Sequence, residues 1–99
     1  PGADLALALA IASSRLEIPL PADVAACGEI GLGGEVRRIA RTELRVREAA
    51  RLGFRRVLVP EGTQTRALAG VELIEVGEVA DAVAWLRASA RVHSPVNSR

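Results

Sequence analysis

The sequence predicts an α/β fold with the element order α-β-β-α-β-β-α, and three observations carry the prediction. The glycine-rich stretch Gly28-Glu29-Ile30-Gly31-Leu32-Gly33-Gly34 separates two strand-like runs and folds them into a hairpin. An arginine-dense helical run follows and leads to Val57-Leu58-Val59, which makes a β-α-β unit. That last run is apolar on successive residues, as expected of a strand covered on both faces in a parallel sheet.

The elements follow in order. Asp4 is placed to cap a helix over 5–16, whose composition leaves almost no polar face and predicts burial all round. The helix should end near Leu16, because Ile18-Pro19-Leu20-Pro21 is extended. Asp23 enters a strand over 24–30, and Glu35-Val36-Arg37-Arg38-Ile39 leads out of the hairpin. Thr42 is expected to cap a helix running to about Leu52 and stopped by Gly53, with Val46, Ala49, Ala50 and Gly53 as its inward stripe. Leu44, Arg47 and Arg51 fall on the opposite side, with Arg41 and Arg45 flanking. A strand over 55–60, a connection with a helical turn at 65–68 and a strand over 71–76 come next. Val79, Val83 and Leu86 then mark an amphipathic helix with acids in its first turn. Residues 1–90 make the domain and 91–99 a disordered tail; further strands upstream of the first helix are expected, which leaves the domain incomplete at its N-terminal side.

Composition narrows the function. The apolar fraction of 49% rests on small aliphatic residues, with Phe54 and Trp85 the aromatics. No apolar run approaches the roughly 20 residues of a bilayer span, so neither a membrane nor a signal segment is expected. Cys27, inside an apolar run, reads as a small buried hydrophobe in a reducing, cytoplasmic compartment. A phosphate loop needs a lysine after its glycines, and Gly34 is followed by Glu35 in a chain without lysine. With one cysteine and one histidine, His93, a zinc site cannot be assembled.

Net charge is +1, but its distribution is uneven. Between Arg37 and Arg56 eight arginines face only Glu43 and Glu48, while the remainder of the chain is acidic. Arg37, Arg38, Arg41 and Arg45 are the candidate DNA contacts; with no free aromatic for stacking, binding would be directed to phosphates and independent of sequence. Arg37 and Arg38 are neighbours in a strand and point to opposite faces. Leu44, Arg47, Arg51 and Leu52 form the alternative, a subunit interface meeting Glu72, Glu75, Glu78 and Asp81 of the next copy.

The run from Asp4 to Ser14, Pro19-Leu20-Pro21-Ala22-Asp23, the glycine hairpin through Arg37, and Arg47 to Arg56 with Val59-Pro60 resemble the Lon-type protease domain. They are still more similar to the C-terminal Lon-like domain of the bacterial DNA-repair ATPases of the RadA (Sms) family. The resemblance implies a Lon-protease-like fold of the ribosomal protein S5 domain 2 type. A Lon peptidase joins a serine to a lysine base; here the serine position falls near Gly2 and the lysine position on Glu43, so the dyad is absent. What is implied instead is a non-catalytic platform for oligomerisation and DNA contact in a DNA-dependent branch-migration motor of recombinational repair. Its partners would be single-stranded or branched DNA and further copies in a ring, hexameric in the parent. ATP, Mg and Zn would belong to a preceding part of the parent, an ATP hydrolase. The alternative is a degenerate serine-lysine peptidase fragment serving as a scaffold in another protein.

Overall fold

A computed structural model describes residues 3–64, 68 and 70–92. Three helices and six short strands form two sheets: β1 (Ala3–Asp4), α1 (Leu5–Leu16), β2 (Val24–Ala26), β3 (Glu29–Ile30), β4 (Val36–Arg37), α2 (Thr42–Arg51), β5 (Arg56–Pro60), β6 (Glu72–Val76) and α3 (Val79–Val92). The parallel sheet has the order β2-β5-β6, with Ala25 opposite Val57 and Val57 opposite Leu73. The antiparallel sheet has the order β1-β3-β4 and contains the predicted hairpin, Ile30 opposite Val36.

The central strand explains the layering. Leu58 packs with Leu5, Leu9, Val76, Ala82 and Leu86, from α1, β6 and α3. Val57 and Val59 point the other way and pack with Val46 and Ala49 of α2. A strand alternates its faces residue by residue, so an unbroken apolar run buries both; all three are fully buried. The alpha-helical layers therefore lie on opposite faces of the parallel sheet.

The expected strand over 24–30 is two strands in different sheets. Cys27 donates to the Leu58 carbonyl at 2.8 Å and ends the parallel ladder; Gly28 accepts from Leu5 N at 3.0 Å and starts the turn toward β3. A Cβ at Gly28 would stand 3.0 Å from Val36 Cγ1 and 3.5 Å from Leu5 Cδ2, so a side chain has little room at this corner. The short β1 was not expected from the sequence.

Asp4 caps α1 as expected, its Oδ1 accepting from Ala6 N at 2.7 Å. The predicted burial of α1 all round is corrected: Leu5 and Leu9 are buried, whereas Leu7 and Ile11 are 60% and 51% exposed. One sheet face covers one side of a helix, and among the described residues nothing covers the other. The helix ends with Glu17 in the left-handed region, φ 57°. Glycine adopts that conformation without the Cβ clash, so Glu17→Gly is expected to raise stability by about 1 kcal/mol in urea unfolding. α3 runs to Val92, past the expected limit of the domain at 90. The expected turn at 65–68 and the tail beyond 92 lie outside the described residues, apart from Leu68. No helix among the described residues is long and apolar enough to cross a membrane.

Candidate nucleic-acid and subunit interface

The candidate surface is built on α2, and the local chemistry fixes both ends of that helix. At its C-terminus Gly53, φ 99°, donates to the Ala50 carbonyl and Phe54 to the Ala49 carbonyl, the paired bonds of a Schellman stop. Phe54 packs on the cluster that includes Val46 and Ala49, which sets the rotation of the helix on the sheet. At its N-terminus the expected Thr42 cap is corrected. Thr42 is the first helical residue, and its Oγ1 donates to the Ile39 carbonyl at 2.7 Å. The cap position is held by Arg41 at φ 60°, whose side chain makes no capping bond.

This anchoring turns Val46 and Ala49 inward and leaves Leu44, Arg45, Arg47, Arg51 and Leu52 exposed. Gly53, placed in the inward stripe by the sequence, is exposed instead. Of the residues proposed for DNA, Arg41 and Arg45 lie on the entry and outer side of α2, and Arg38 is exposed just beyond β4. None of these three makes an ion pair among the described residues. Arg37 lies on β4 and pairs with Glu35 at 3.6 Å. Arg47 pairs with Glu43 one turn back, at 3.8 Å. These pairs are exposed and hold their cations weakly.

A cleft of about 470 Å³ opens between the start of α1, the corner after β2 and the Arg45 side of α2. Asp4, Cys27, Gly28, Arg45, Glu48 and Phe54 are among its walls. Glu43 is not among them, and Gly2 lies outside the described residues. No serine, threonine or lysine lines the cleft.

Cys27 is buried, and desolvation pushes its thiol up from its ordinary value, against a smaller lowering by the nearby Arg45 charge. The folded chain thus disfavours the thiolate that an unfolded chain forms freely. Stability from this group is fully present below the ordinary thiol value and is lost as pH rises through the alkaline range. Urea midpoints compared for wild type and Cys27→Ala should therefore diverge less above about pH 9 than at pH 7.

One arginine that the sequence places within the basic run belongs elsewhere. Arg56 is half-buried and forks onto Asp23, Nε to Oδ2 at 3.1 Å and Nη2 to Oδ1 at 2.9 Å. Its guanidinium also lies 5.4 Å from the ring centre of Trp85. The aspartate bond is the largest influence and holds the guanidinium above its ordinary value. The signal available in the sequence was Arg56 standing at the start of a buried strand, where a cation requires a partner.

The family model described as subunit ChlI of Mg-chelatase matches residues 1–63. Similar proteins include the DNA repair protein RadA of Mycolicibacterium smegmatis, 45% identical over 88% of this chain and 18% of its own length. The DNA repair protein RadA of Synechocystis is 42% identical over 85% of this chain and 17% of its own. That of Bacillus subtilis is 48% identical over 84% of this chain and 19% of its own. The chain thus spans less than a fifth of the length of these relatives.

Proposed function

The chain belongs to the family described as subunit ChlI of Mg-chelatase, and we propose that it acts as a non-catalytic platform for self-association and DNA contact within a RadA-like repair ATPase. The observation that carries this reading is the outward set Arg38, Arg41 and Arg45, exposed and without ion-pair partners among the described residues. Relatives named DNA repair protein RadA supply its context. Arginine clustered on one helix and the strand before it suits phosphates, whose charge is the same whatever the base. A Lon-like fold belongs to the same reading, with its peptidase dyad absent. ATP hydrolysis, with its Mg and Zn, is assigned to parts of the parent other than this segment, and the setting is the cytoplasm.

The second half of the platform is contact between copies. It is favoured by Leu52, 77% exposed, and Leu44, 44% exposed, which stand among arginines on the outer side of α2.

Fluorescence anisotropy of labelled single strands at low salt tests the DNA half. The expected result is binding of similar strength to homopolymeric and mixed sequences. Absence of binding at low salt would remove that half, and a strong base preference would contradict phosphate-directed contact.

A further inference from the structure

The tip of the hairpin carries Leu32, fully exposed on a turn that the chain holds rigid. Gly31 donates to the Glu35 carbonyl at 2.8 Å and Gly34 to the Gly31 carbonyl at 3.0 Å. Glu35 folds over the turn, its Oε1 accepting from Gly33 N at 3.1 Å. The hairpin is also stitched to the start of α3: Val36 donates to the Gly77 carbonyl at 2.9 Å, Val79 to the Gly34 carbonyl at 2.8 Å, and Glu35 bridges Glu78. An apolar knob therefore stands on a braced base whose exposed charges are Glu35, Glu78 and Asp81, with Arg37 as the nearby cation. Asp81 caps the start of α3 by accepting from Glu78 N at 3.0 Å.

That surface has the opposite character to the outer side of α2. There Leu44 and Leu52 lie two turns apart on one line with Glu48 between them, and Arg47 and Arg51 stand alongside. Exposed leucine ringed by charge of one sign matches exposed leucine ringed by the other, an apolar centre with a complementary rim. The excess of acids at the tip argues against nucleic acid as its partner.

We propose that Leu32 of one copy docks between Leu44 and Leu52 of the next, with Glu35 and Glu78 facing Arg47 and Arg51. This rests on the self-association half of the proposed function and adds its missing counter-surface. The two patches are different surfaces of one chain, so the contact is head-to-tail and closes into a ring or extends as a filament.

Light scattering on four samples tests it: wild type, Leu32→Ser, Glu35→Arg with Glu78→Arg, and Arg47→Glu with Arg51→Glu. Wild type should assemble, each variant alone should fall to the monomer mass, and mixing the two charge-reversed variants should restore assembly. Restoration shows that both variants fold. A monomeric wild type would overturn self-association and this contact with it. An assembled wild type whose variants keep its mass, or reversed variants that stay monomeric when mixed, would overturn this contact and leave self-association standing.

Discussion

Leu58→Ala is expected to lower the stability of the chain by about 3 kcal/mol, the middle of the range for a leucine removed from a closed core. Leu58 has no exposed surface and sits at the centre of β5, where α1, β6 and α3 converge through Leu5, Leu9, Val76, Ala82 and Leu86. Neighbours anchored on three different elements cannot all move inward, so a cavity remains and dispersion contacts are lost with the transfer energy. For a domain of this size the loss corresponds to a fall in melting temperature of roughly 10–25 °C. Leu32→Ala is the control. The same chemical change at a fully exposed position should stay within about 0.5 kcal/mol. Thermal unfolding of both variants measures the contrast, and similar shifts would contradict the assignment of the core.

The second large effect is expected at Asp23. Its carboxylate receives both arms of Arg56, while its carbonyl accepts from Arg55 N at 2.8 Å and Arg56 N at 3.1 Å. Asp23→Ala removes only the carboxylate. It leaves a guanidinium whose side chain is 20% exposed, held against Trp85 with its strongest partner gone. An uncompensated buried charge costs about 3–5 kcal/mol, and partial exposure on the Asp23 side reduces this to about 2 kcal/mol. Arg56→Met should cost less, because the aspartate, 39% exposed, can return to water while the methionine keeps the packing. Urea unfolding of both variants decides the order; a larger loss for Arg56→Met would show that the arginine acts through its stem and not through the ion pair.

The parts of the fold legible in the sequence are those fixed by local chemistry. Gly53 stopped α2, Asp4 started α1, and the apolar run around Leu58 identified a strand buried on both faces, since each signal lies within a few residues of its consequence. Features decided by distant neighbours were hidden. The chain changes sheets at Cys27 and Gly28 because of crowding by Val36 and Leu5, and no local pattern between 24 and 30 announces that corner. The apolar composition of α1 suggested burial on every side, yet what covers Leu7 and Ile11 is a tertiary matter that composition cannot supply. Thr42 looked like a cap because it precedes the helical pattern; its hydroxyl turned back to Ile39 instead. In the candidate site, the outward direction of Leu44, Arg47 and Arg51 followed from helical spacing. The withdrawal of Arg56 did not, because its partner lies 33 positions away. The cleft was equally illegible, since the start of α1 and the flank of α2 meet only through the sheet between them.

The arginine surface is the centre of the functional account, and the salt dependence of single-strand binding tests it most directly. Wild type and an Arg41→Ala/Arg45→Ala variant would be titrated across a range of salt concentrations. Each phosphate contact on a single strand contributes about 0.7 to the slope of log affinity against log salt, so the variant should bind more weakly and with a slope shallower by about 1.4. A wild type that fails to bind at low salt, or a variant with the wild-type affinity and slope, would contradict the assignment of Arg41 and Arg45 to DNA.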